Sequence, residues 1–107
     1  MSITKEQKEW LKSNLTKRLK NTTNISLNDF INMFNRKTKD YTNSRLINEM
    51  EEVFQTFCGE KNLDKDDLIS IFIFANIDVE FIYTALIKWE KNPNQHTEDR
   101  YNLIWYK

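Results

Sequence analysis

The stretch LDKDDLISIFIFANIDVEFIYTALIKWE, residues 63–90, decides the fold, because it contains two helix starts around an apolar run. Asp64 and Asp78 are of the type that accepts hydrogen bonds from the first unpaired amides of a helix. Residues 68–75 are apolar except for one serine, and a helix that is apolar on nearly all sides is surrounded by other helices. The stretch therefore predicts a buried central helix over residues 68–75 and a second helix from Asp78, whose apolar, buried face is Val79, Ile82, Tyr83, Leu86 and Trp89.

A β-strand is the alternative for ISIFIF, residues 69–74, because β-branched and aromatic residues favour strands. The run lies between two capped helical patterns, and no other part of the chain offers a strand to pair with it. The helical interpretation is therefore preferred.

The N-terminal half of the chain also predicts helices. Leucines at four-residue steps indicate a first helix over residues 5–19, and we expect Trp10 to lie in the core beside them. Ser26 is expected to cap a second helix. A third helix is expected to begin near Ser44 and to end at Gly59, the single glycine, which would then have a positive φ.

The C-terminal segment leaves two alternatives open. Pro93 is expected to stop the helix that begins at Asp78, because proline cannot continue a helix. Thr97 can cap a short last helix, but the final residues, YNLIWYK, are equally compatible with an extended tail. The length of 107 residues suits one domain. We therefore predict an all-α fold, a compact single-domain bundle of five to six helices over residues 1–107.

Composition narrows the class of protein. Asn, Lys and Ile have A/T-rich codons and make up about a third of the chain, which favours a phage, viral or mobile-element accessory protein. One cysteine fits a reducing compartment, and no signal peptide or membrane span is evident. We expect a cytoplasmic protein, in the host cell if the source is a virus or phage.

The charge is unevenly distributed although its net value is zero. Residues 1–48 carry a net charge of +6 and residues 49–107 carry −6. If folding keeps these halves apart, the resulting dipole steers partners or promotes head-to-tail self-association.

No pattern of catalytic or metal-binding residues is evident. NLDKDD begins like a calcium-binding loop, but the glycine and glutamate that such a loop requires are missing. Cys58 and His96 do not form a zinc motif, and we expect a buried thiol and a solvated imidazole. One glycine excludes the loops that cradle phosphates. We therefore predict no enzyme, no cofactor and no metal.

The stretch ANIDVEFIYTAL, residues 75–86, resembles helix-turn-helix motifs in its apolar spacing, with Asn76 at a turn position that often has positive φ. Two features disfavour DNA binding. Phe72 stands where the two helices should cross closely, and Asp78 and Glu80 would face phosphates at the start of the recognition helix. The stretch therefore favours two packed helices joined by a capped turn.

The leading functional prediction is a small non-catalytic regulatory protein that binds another protein. Exposed aromatic residues are its predicted anchors: Trp89, Tyr101, Trp105 and Tyr106. The alternative is a nucleic-acid-binding regulator that uses either the helix-turn-helix-like stretch or a basic surface, which an acidic protein would also suit. That surface comprises Lys12, Lys17, Arg18, Lys20, Arg36, Lys37 and Lys39. A homo-oligomer that docks the C-terminal segment on a second copy is a further alternative.

Overall fold

The computed structural model describes residues 4–91 and confirms an all-α, single-domain bundle. The five α-helices are α1 (Lys5–Thr23), α2 (Leu27–Lys37), α3 (Asn43–Phe54), α4 (Lys65–Phe74) and α5 (Val79–Lys91). A π-helical segment, Gln55–Glu60, continues α3. The expectations for Pro93, His96, a helix from Thr97 and the final aromatic residues lie outside the described residues.

The helix starts follow the local sequence. Ser26 accepts a hydrogen bond from the amide of Asp29 at 3.1 Å, so its predicted capping role is confirmed. Asp64 and Asp78 likewise accept amide hydrogen bonds at the starts of α4 and α5, at 2.8 and 2.9 Å. Side-chain oxygens therefore stabilise the ends of these helices where the backbone has no partner of its own.

Three helix ends use asparagine in the left-handed conformation. Asn24, Asn62 and Asn76 have φ of 62°, 63° and 64°. At Asn76 the amide donates to the Ile73 carbonyl, and the next amide donates to the Phe72 carbonyl, which is the pattern of a Schellman cap. The positive φ predicted at Asn76 is confirmed. Helix α1 runs through residue 23, one turn beyond the predicted end, before Asn24 stops it.

Gly59 does not have the predicted positive φ, and that expectation is wrong. Helix α3 continues past it in a wider turn, in which the Lys61 amide donates to the Thr56 carbonyl five residues back. A Cβ at Gly59 would lie 3.0 Å from Oε1 of Gln55 and 3.1 Å from two further atoms of that amide. The single glycine therefore makes room for a buried side chain.

Phe72 lies at the centre of the core and has no exposed surface. Its ring centroid is 6.1, 5.2 and 5.7 Å from those of Phe30, Phe34 and Phe54, so α4 contacts α2 and α3 through aromatic side chains. The prediction that residues 68–75 form a central helix is confirmed, except that Ile73 on one edge is exposed.

Helix α5 packs mainly against α3, and its contact with α4 is much smaller. Helix α1 packs on α2, which packs in turn on α4. The bundle therefore places α1 and α5 against different neighbours.

Candidate interaction surfaces

The inner face of α5 is fixed on α3 by Trp89. Its ring stacks on Phe54, with centroids 5.8 Å apart and planes inclined by 16°. Its Nε1 donates a hydrogen bond of 2.9 Å to Oε1 of Gln55, which is buried. Trp89 is therefore half-buried, and the expectation of an exposed aromatic cluster around it is wrong, because the helix turns this side chain towards α3.

Polar contacts beside Trp89 also join α5 to α3. Lys88 Nζ donates to Oδ1 of Asn48 at 3.0 Å and lies 3.9 Å from Oε1 of Glu51. Glu51 and Gln55 are the two buried polar side chains in the described part of the chain. Because buried polar groups are costly without partners, these bonds favour one orientation of α5.

The opposite face of α5 is apolar and open to solvent. Val79, Tyr83 and Ile87 are 49%, 45% and 49% exposed. Residues four positions apart lie one turn apart on the same side of a helix, so the three form a continuous row, here called the outer stripe. Sequence reasoning placed Val79 and Tyr83 on the buried face, and this is wrong, because α3 lies on the side of Ala85 and Trp89. The small residue Ala85, which is fully buried, was the available signal for the correct side.

The seven predicted basic residues are all exposed, and two of them are paired with acids. Arg18 Nε donates to Oδ2 of Asp67 at 2.8 Å, and Lys37 Nζ donates to Oε2 of Glu49 at 2.9 Å. The hydrogen bond that Lys37 donates to the Glu49 carboxylate raises the pKa of Lys37. Asp64 caps α4 through the amide of residue 66, and Asp67, in the first turn of the same helix, binds Arg18.

Trp10 is 68% exposed, and the expectation that it lies in the core is wrong. Helix α1 buries only Leu15 and Leu19, and none of the residues in 5–14 is buried. The cause is geometric: Trp10 lies on the side of α1 that faces away from α2. Residues 5–10 of α1 are all exposed, and the packed face of the helix begins at Leu11.

Cys58 is not placed for nucleophilic chemistry. Burial raises the pKa of its thiol to about 12, so the reactive thiolate is scarce at neutral pH. Between residues 4 and 91, no three metal-binding side chains come together. No helix in this part of the chain has the length and apolar character needed to cross a membrane.

Comparison with models of known protein families, with curated proteins and with solved structures finds no match to this chain. The two exposed surfaces, the outer stripe of α5 and the outer side of α1, are therefore the basis for inferring function.

Proposed function

We propose that this protein is a non-catalytic interaction protein that binds another protein through the outer stripe of α5. The observation that supports the proposal is the row of Val79, Tyr83 and Ile87 on a helix whose other face is fixed to α3. A rigid apolar row of this kind suits an amphipathic helix of a partner, with its own apolar side chains set against the stripe.

Burial of apolar area would supply the binding free energy of the proposed complex. Burying apolar surface stabilises a complex by roughly 25 cal/mol per Å², before the cost of association is subtracted. Tyr83 lies at the middle of the row, and a central tyrosine is a frequent hot spot of binding energy. Three half-exposed side chains make a small patch, so the proposed complex is a transient one.

The rim of the stripe is polar. Glu80, Thr84 and Lys91 are exposed and lie along one side of the row. A polar rim around an apolar centre is the usual arrangement of a protein interface. The presence of both an acid and a base there matches a protein surface better than a uniformly negative nucleic acid.

The helix-turn-helix alternative receives less support. Helix α5 would be the recognition helix, yet its exposed face is apolar. Two acids, Asp78 and Glu80, lie at the start of this helix. DNA binding depends on positive contacts to phosphates, and acids at the helix start oppose them. The same face therefore supports a protein partner.

The proposal is tested by comparing what Tyr83→Glu and Met33→Glu capture from cells of the native source. Met33 is exposed on α2, so both variants put a charge on a surface apolar residue. We expect at least one protein that is captured by the wild type and by Met33→Glu but is lost with Tyr83→Glu.

Two outcomes would contradict the proposal. One is that both variants capture the same proteins as the wild type. The other is sedimentation that shows a dimer of the wild type and a monomer of Tyr83→Glu, because the stripe would then bind a second copy of this chain.

A further inference from the structure

The outer side of α1 differs in chemistry from the rest of the surface. No Asp or Glu occurs between Trp10 and Asn28, a stretch that holds four Lys and Arg residues. Arg18 is tied to Asp67, but neither Lys17 nor Lys20 forms an ion pair with any residue from 4 to 91. The positive charge of these two ammonium groups is therefore available to a ligand.

Helix geometry brings Trp10 to the same side of α1 as these lysines. Trp10 and Lys17 are seven residues apart, so they lie about 20° apart around the axis and about 10 Å apart along it. Lys20 follows Lys17 by about 60° and one turn. Ser13 and Asn21 lie between or beside them and are exposed, which adds neutral hydrogen-bond donors to the row.

An exposed indole next to unpaired lysines is a suitable arrangement for a nucleic acid whose bases are unstacked. Single-strand binding combines positive side chains along the backbone with aromatic rings on which bases stack. A duplex keeps its bases stacked inside, so Trp10 on a convex helix would gain little from it. Glu6 lies one turn before Trp10 and limits the face at its N-terminal end.

We propose that Trp10, Lys17 and Lys20 form a binding face for single-stranded nucleic acid. The two ammonium groups contact phosphates, and the indole of Trp10 stacks on a neighbouring base. This face is separate from the outer stripe of α5, and its function is independent of the protein-binding proposal.

The test is fluorescence anisotropy of a labelled oligonucleotide of about 12 nucleotides, single-stranded or in a duplex, titrated with the full chain. We expect tighter binding to the single strand, which weakens steeply between about 50 and 200 mM salt. Trp10→Ala and Lys17→Glu should each weaken binding about tenfold.

Lys12→Glu is the matched control. Lys12 is an exposed lysine of the same helix, but it lies about 140° around the axis from Lys17, outside the proposed face. We expect it to weaken binding less than about twofold. Circular dichroism of each variant shows whether α1 stays helical, and Lys17→Arg should restore binding if the charge is what matters.

Three results would overturn the proposal. The first is no binding of the single strand at the lower salt concentration. Binding of anionic lipid vesicles without binding of the single strand would count as this result. The second is equal loss from Lys12→Glu and Lys17→Glu, which would indicate general attraction. The third is unchanged affinity in Trp10→Ala.

Discussion

Helices α1 and α5 differ in how they are held and in what they expose. Helix α5 is joined to α3 by apolar packing and by the side-chain bonds of Lys88 and Trp89. Helix α1 is held by Leu11, Leu15 and Leu19, with a single side-chain bond to α4 from Arg18. The exposed apolar residues of α5 lie opposite a packed face, whereas residues 5–10 of α1 are exposed on all sides.

The exposed residues of the two helices also differ in chemical character. The outer stripe of α5 is apolar, whereas the outer side of α1 carries Lys17 and Lys20 beside one tryptophan. A single binding surface would bring such residues together, but α1 and α5 pack on different neighbours. The bundle therefore presents two exposed surfaces of different chemistry.

The largest expected effect on stability comes from replacing Trp89 on α5, and the same substitution at Trp10 on α1 serves as the comparison. Trp89→Ala should destabilise the fold by about 3 kcal/mol, because it removes the stacking on Phe54 and leaves buried Gln55 without its partner. Trp10→Ala should change stability by less than about 0.5 kcal/mol. Urea denaturation measures both values. Equal losses would show that the side of α1 that carries Trp10 is packed after all.

A second variant tests how Gln55 holds α5 on α3. Gly59→Ala should cost about 1.5 kcal/mol, because the new methyl group lies 3.0 Å from Oε1 of Gln55, and this buried amide, which is bonded to Trp89, has to shift by a few tenths of an ångström. In a Gln55→Ala background the same change should cost much less, since the obstacle is gone. Additive losses in this double-mutant cycle would contradict the steric explanation.

A third variant tests the turn between α4 and α5. Asn76→Ala should destabilise by about 1 kcal/mol, because alanine lacks the short polar side chain whose local hydrogen bonding lets asparagine tolerate the left-handed conformation. Asn76→Gly is the control and should be neutral or slightly stabilising, since glycine has no Cβ. Thermal unfolding of the two variants would refute the assignment if alanine and glycine gave the same melting temperature.

At neutral pH the smallest effect comes from Cys58, because its contribution to a pH dependence of stability begins only near pH 9. Burial raises the pKa of its thiol from 9.0 to about 12, so the folded state favours the protonated form. The associated stability is fully present below pH 9 and is lost as the pH rises from about 9 towards 12. Comparing wild type with Cys58→Ala across this range isolates the contribution. Parallel curves would show that the thiol titrates normally.

Much of the fold was predictable because helix starts are local. Ser26, Asp64 and Asp78 act within three residues of their own position, so their capping roles follow from the sequence. The central position of α4 was predictable for a similar reason, since an all-round apolar helix has to be enclosed.

The exposed faces were less predictable because they depend on which helix packs where. The leucine pattern placed Trp10 inside, and the apolar pattern of α5 placed Tyr83 inside, but neither pattern specifies the neighbour. The prediction for Gly59 failed for another reason. Glycine is used both where φ is positive and where a side chain packs closely on the backbone, and only the position of Gln55 shows which applies here. The binding partners depend on molecules outside the chain, so no local rule predicts them.

We propose above all that α5 binds a protein partner through its outer stripe. The most direct measurement is photo-crosslinking in cells of the native source, with the photoreactive residue at position 83 in one variant and at position 33 in the other. We expect a specific adduct with another protein at position 83 and none at position 33. No adduct at position 83, or the same adduct at both positions, would contradict it.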